Sequence, residues 1–141
     1  MPQGQATARW GGGMRDGTGT VSLASGAMHA SPYDLNTRLG DGPGTDPEEL
    51  AAAAHAACFS MALTMVLQAG EMVPRSIDCD ATVTLGHPNG GPEVTRSHLD
   101  VTLCVPGACE TRLREACAVA RDNCPMSRLM TAEVTMDVRL I

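Results

Sequence analysis

Apolar and polar residues alternate along most of this chain, and they do so with two different periods. Ala6, Ala8 and Trp10 alternate with other residues ahead of Gly11-Gly12-Gly13, and Val21 and Leu23 alternate beyond Arg15-Asp16-Gly17. This pattern predicts a hairpin with a glycine-rich turn. Ile77, Cys79, Ala81, Val83 and Leu85 share one face of a longer strand, and His87-Pro88-Asn89-Gly90-Gly91-Pro92 turns the chain. Leu99, Val101, Leu103 and Val105 supply the apolar face of the returning strand, which Pro106-Gly107 ends. Val134, Met136, Val138 and Leu140 make a terminal strand. From Ala108 to Arg121 the period lengthens. Leu113, Ala116, Cys117 and Ala120 fall on one side, Arg112, Glu115 and Asp122 on the other, as in an amphipathic helix.

A second helix is announced by its start. Asp46 as N-cap, Pro47 at the first helical position and Glu49 at the third fit the capping pattern. Residues 26–46, rich in Gly, Pro, Asp, Asn and Thr, read as an irregular connection, and a loop that long in a compact domain is usually functional. With no internal repeat and no evident linker, the reading is one α+β domain over residues 1–141, its helices backed by antiparallel sheet.

Composition narrows the function classes. The 141 residues are 43% hydrophobic but only 2% aromatic, namely Trp10, Tyr33 and Phe59, so Ala, Val, Leu and Met build the core. The net charge is −6, with no lysine and ten scattered arginines, which argues against a nucleic-acid partner. The first residues lack a basic segment followed by an apolar one, so a cytoplasmic location is expected. The apolar stretch from Leu50 to Leu67 is alanine-dominated and contains His55 and Ser60. It is expected to be a buried core helix, not a membrane span. Six cysteines in such a chain suggest redox or metal chemistry before a disulfide scaffold. Metal is the weaker alternative: no CxxC occurs, and Cys58, His55 and Cys124 lack a fourth ligand of sensible spacing.

Two cysteines stand in contexts that could make them reactive. Cys58 ends the run His55-Ala56-Ala57-Cys58-Phe59, and Cys124 lies in Asn123-Cys124-Pro125-Met126-Ser127. A thiol reacts as thiolate, and a helix start or a nearby arginine promotes ionisation. Cys124 before Pro125 could cap a new helix running to Arg128. On composition alone Cys58 is an inert core residue, Arg38 a surface charge, and Glu48 a carboxylate favoured by the helix dipole.

These segments carry a resemblance. Asn36-Thr37-Arg38, the stretch from Gly44-Thr45-Asp46-Pro47-Glu48-Glu49 through Cys58-Phe59-Ser60-Met61-Ala62-Leu63, and Asn123-Cys124-Pro125-Met126-Ser127 resemble the OsmC/Ohr family of organic hydroperoxide reductases, on the OsmC side, over essentially the whole chain. The resemblance implies antiparallel β-sheets packed around central helices in an intertwined homodimer. It also implies a thiol peroxidase that reduces organic hydroperoxides to alcohols without a bound cofactor, relevant to oxidative and osmotic stress. Cys58 matches the peroxidatic residue and Cys124 the resolving one. Arg38 matches the arginine that stabilises the thiolate, and Glu48 the glutamate that orients it. The reductant would be an external dithiol, such as dihydrolipoyl groups on proteins. A cysteine sulfenic acid that condenses to a disulfide is the corresponding chemistry.

Several alternatives stay open beside this reading. Arg15 competes with Arg38 for the thiolate, while Glu49 is assigned to capping alone. Glu48 and Cys58 are ten residues apart, about 15 Å of rise on a straight helix and on different faces. Either the helix breaks within Ala51–Ala57, which is the expectation, or Arg38 and Glu48 reach across a subunit boundary. His55, three residues before Cys58, is expected to be hydrogen-bonded core and not the base of a dyad. Cys79, Cys104, Cys109 and Cys117 read as small hydrophobes, and Ser127 and Arg128 as solvated. Phe59, Met61, Leu63 and Met65 are expected to serve as core and as the apolar wall of a substrate pocket. A non-catalytic protein binding a small apolar ligand on the same scaffold is the competing function.

Overall fold

A computed structural model describes residues 1–141. The chain divides into two units, Met1–Leu50 and Ala51–Ile141. In the first, β1 (Ala6–Gly11), β2 (Thr18–Leu23) and β3 (Ser31–Tyr33) form an antiparallel sheet in that order. The β1–β2 hairpin is the one the alternation predicts. The connection expected to be irregular contains two short elements, β3 and the single turn α1 (Leu35–Arg38). Local hydrogen bonds create α1. Asp34 Oδ1 accepts from the Thr37 amide at 2.9 Å, and Thr37 Oγ1 accepts from the Asp34 amide at 2.9 Å, a reciprocal cap. Gly44, at φ +125°, packs where a Cβ would collide with the Pro32 carbonyl oxygen. The Thr45 amide donates to that same oxygen at 2.9 Å.

Helix α2 (Pro47–Ala69) starts as predicted, with the Glu49 amide donating to Asp46 Oδ1 at 2.8 Å. The Glu49 carboxylate accepts from Thr45 Oγ1 at 2.9 Å. The expected break within Ala51–Ala57 is absent. α2 runs unbroken to Ala69, because alanine is the strongest helix former and no glycine interrupts the run before Gly70. Two of its hydroxyls are satisfied within the helix: Ser60 and Thr64 donate to the Ala56 and Ser60 carbonyls at 2.8 and 2.9 Å.

In the second unit, β4 (Ser76–Gly86) and β5 (Glu93–Cys104) pair antiparallel. β6 (Glu133–Leu140) pairs with β5 in parallel, which departs from the expected antiparallel sheet. α3 (Glu110–Asn123) and α4 (Pro125–Leu129) lie between β5 and β6, and this connection is long enough to cross over. The core joins Phe59, Leu63 and Leu67 of α2 to Leu99, Val101 and Leu103 of β5, with Leu113, Ala116, Cys117 and Ala120 of α3. The same four α3 residues define the apolar face read from the sequence.

Candidate active site

The second unit brings the two cysteines together. Cys58 lies mid-helix on α2 and is half-buried, whereas Cys124 is fully buried between α3 and α4. The Cys58 thiol faces Cys124 and the backbone of Met126. Both thiols are free. Cys124 is the N-cap of α4 with Pro125 at its first position, as the Cys-Pro step predicts, but its side chain makes no capping hydrogen bond.

The expectation that local context would acidify Cys58 fails within this unit. Burial pushes its thiol above the ordinary value of 9.0, the neighbouring Cys124 adds to this, and the Met126 backbone only partly opposes it. With α2 unbroken, Cys58 has no helix start to help it.

His55 is not the base of a dyad. It is fully buried, with Nδ1 2.7 Å from Ser97 Oγ on β5 and Nε2 2.8 Å from Ser127 Oγ on α4. Both ring nitrogens are therefore occupied by hydroxyls, and burial lowers the pKa of the imidazole below the ordinary 6.5. Ser127, expected to be solvated, is half-buried by this bond, while Arg128 is exposed. The sequence offered no local signal for Ser97, whose partner lies 42 residues away.

The first unit holds the arginine and its carboxylate. Arg38 ends α1, and its Nη2 donates to Glu48 Oε1 at 2.8 Å, with Nε 3.3 Å from both carboxylate oxygens. The hydrogen bond to Glu48 raises the guanidinium pKa further. Burial opposes ionisation of Glu48, but the Arg38 hydrogen bond and backbone donors win, holding its carboxyl below the ordinary 4.5. Arg15, the competitor, lies exposed between β1 and β2, so Arg38 is the arginine that Glu48 holds. Beside it opens a cleft of about 210 Å³ lined by Trp10, Met14, Tyr33, Asp34, Leu35, Arg38 and Pro47. The Trp10 and Tyr33 rings stand 5.5 Å apart. This cleft, and not the expected residues of α2, supplies an apolar wall beside a cation. Phe59 and Leu63 are fully buried core, and Met61 and Met65 are 71% and 72% exposed.

The other four cysteines divide. Burial pushes Cys79 and Cys117 up to about 11, in keeping with small core residues. Cys104 is buried. Cys109 departs from expectation: it is exposed at the start of α3, where the Arg112 and Thr111 amides lower its pKa. No group of three or more His, Cys, Asp or Glu residues could hold a metal ion.

Comparison with known proteins places this geometry. The model of OsmC-like proteins matches residues 40–139. The peroxiredoxin OsmC of Escherichia coli (strain K12) is 41% identical over 133 residues, covering 94% of this chain and 93% of that protein. An organic hydroperoxide resistance protein of Xanthomonas axonopodis pv. citri (strain 306) is 29% identical over 130 residues, covering 91% and 88%. Among solved structures, an OsmC-like protein of Vibrio cholerae superposes with a TM-score of 0.78 at 18% identity, covering 99% of this chain and 100% of that one. The organic hydroperoxide resistance protein OhrB of Bacillus subtilis superposes with a TM-score of 0.71 at 23% identity, covering 99% and 98%. Two small sheets with an alanine-rich helix, a facing pair of free thiols and a family match across most of the chain lead to one conclusion: this chain belongs to the OsmC-like family.

Proposed function

We propose that this protein is a thiol peroxidase that reduces organic hydroperoxides to alcohols, with Cys58 as the peroxidatic and Cys124 as the resolving residue. The observation that carries this reading is the facing pair of free thiols, one half-buried and reachable, the other fully buried behind it. The names of the curated relatives, a peroxiredoxin and an organic hydroperoxide resistance protein, support the reaction class. The Cys58 thiolate attacks the distal peroxide oxygen and the alcohol leaves, forming Cys58–SOH. Cys124 then attacks that sulfur, water leaves, and an external dithiol, dihydrolipoyl groups among the candidates, reduces the disulfide. A reducing cytoplasm is the setting that suits six free thiols.

The thiolate needs a cation that its own surroundings in the second unit do not supply. In this reading Arg38, oriented by Glu48, comes from the partner subunit of a homodimer. On unbroken α2 the ten residues from Glu48 to Cys58 correspond to about 15 Å of helix rise, which favours a partner's ion pair at the thiol. The face of α2 opposite its buried stripe, Ala53, Ala57, Met61 and Met65, is apolar and exposed, and every residue of β1 is exposed. A second copy covering these surfaces accounts for both. The cleft beside Arg38 then receives the apolar tail of the hydroperoxide. Its volume lies below the roughly 300–1,000 Å³ of drug-sized sites, which favours compact tails.

The test is single-turnover loss of free thiols when reduced protein meets one equivalent of cumene hydroperoxide or hydrogen peroxide. Two thiols should disappear, faster with the organic peroxide. Cys58→Ser should abolish the loss, and Cys124→Ser should arrest it at the sulfenic acid. Slow loss indifferent to Cys58→Ser would instead favour a non-catalytic binding protein.

A further inference from the structure

We propose that His55 is the positioning residue of the second thiol: acting through Ser127, it holds the turn that carries Cys124 against Cys58 and so sets how fast the two sulfurs join. This deepens the peroxidase reading and rests on it. The inference comes from a two-point contact between α2 and the start of α4. His55 and Cys58 are three residues apart on α2, and so are neighbours on its surface. Cys124 and Ser127 are likewise three apart across the first turn of α4. His55 meets Ser127 at 2.8 Å, and Cys58 faces Cys124.

α4 needs such an anchor. It has five residues, none of them buried, and Leu129 is 72% exposed. A helix of that length has no stability of its own in water. Its backbone continues from α3 through the Cys124 amide to the Ala120 carbonyl at 2.9 Å, and Met126 packs on the core. The Ser127–His55 bond is the one side-chain hydrogen bond that ties α4 to another element. At the far nitrogen, fully buried Ser97 on β5 fixes the ring orientation. The ring is thus clamped between the sheet and the turn bearing the resolving thiol.

The step this clamp serves is the second one. Cys124 sulfur attacks the sulfur of Cys58–SOH, the S–O bond breaks, and hydroxide leaves as water with the proton of the Cys124 thiol. The two electrons lost by the thiol pair are those that reduced the peroxide. Attack of Cys58 on peroxide makes and breaks no bond at Cys124, which touches that step only through its effect on the Cys58 thiol, so loosening α4 slows chiefly the joining.

Rapid mixing of reduced protein with one equivalent of cumene hydroperoxide, quenched with dimedone, counts sulfenic acid and disulfide separately. Ser127→Ala is expected to prolong the sulfenic acid about tenfold, since misplacement by about 1 Å can cost up to ~10²-fold. Its formation rate should stay within about twofold, and Ser127→Thr should restore the wild-type lifetime. Ser97→Ala, which frees the ring from β5, should give the same split at smaller amplitude. Equal disulfide rates in wild type and Ser127→Ala, or both steps slowing together, would overturn the role. Equilibration in glutathione buffers reads the same geometry without peroxide: the effective concentration of Cys124 at Cys58 should fall in Ser127→Ala. If the wild type ignores peroxide yet this fall appears, the peroxidase reading fails and the positioning role stands. If the wild type reduces peroxide and neither the split nor the fall appears, the positioning role fails.

Discussion

The Arg38 side chain is 39% exposed and that of Glu48 12%, so water screens the attraction between them. Glu48→Gln is therefore expected to cost only about 0–1 kcal/mol of stability. Its effect on thiol oxidation should be larger. A hydrogen bond to a charged group contributes about 1.5–3 kcal/mol, which corresponds to roughly a 10- to 150-fold loss of rate. Urea midpoints beside single-turnover rates separate the two, and equal small effects on both would deny Glu48 its orienting role. His55 gives a second residue-scale prediction. Its folded pKa is lowered, so below about pH 6.5 the unfolded chain takes up a proton that the native chain refuses. Stability should decline as pH falls through that window until the folded histidine also protonates. His55→Asn should flatten this part of a plot of Tm against pH, and an unchanged slope would contradict the assignment.

At the scale of elements, α2 carries the core of the second unit through Phe59, Leu63 and Leu67, all fully buried. Leu63→Ala should cost about 2–5 kcal/mol in denaturant unfolding. Met61→Ala, on the exposed face, should leave the stability of an isolated chain nearly unchanged. The same helix shows what the sequence made legible. Its start was readable because Asp46 and Pro47 act locally. The long strands were readable because one face of each is more buried than the other, half-buried in β4 and fully buried in much of β5, which imposes a period of two. β3 and α1 escaped because three or four residues are too few to show a period, although Asp34 and Thr37 carried the capping signal. A break in α2 would shorten the distance from Glu48 to Cys58, but the helix propensity of its alanines prevails and α2 is continuous. The parallel pairing of β6 follows from the crossover, which alternation does not encode. Within the site, the Cys-Pro cap was legible. The His55–Ser127 bond joins residues 72 apart and left no local trace.

At the scale of the molecule, the proposed homodimer makes its own claims. Met65→Asp, placing a charge on the exposed face of α2, should weaken self-association in sedimentation and slow peroxide-driven thiol loss together. Without the partner's arginine, burial and Cys124 leave the Cys58 thiol above its ordinary range, so its reactivity should shift toward alkaline pH. Mixed dimers test the sharing itself. Cys58→Ser subunits and Arg38→Ala subunits, each inactive alone, should regain activity on subunit exchange, because one site then holds both groups. No recovery would place Arg38 and Cys58 in the same chain's site or in none. The central claim, that Cys58 and Cys124 together reduce an organic hydroperoxide, meets its most direct test in product and linkage mapping. Reduced protein is treated with one equivalent of cumene hydroperoxide without added reductant. The account predicts one equivalent of the alcohol and a single Cys58–Cys124 disulfide, with Cys79, Cys104, Cys109 and Cys117 still free. Alcohol formed with Cys58 unmodified, or a disulfide drawn from the other four cysteines, would contradict it.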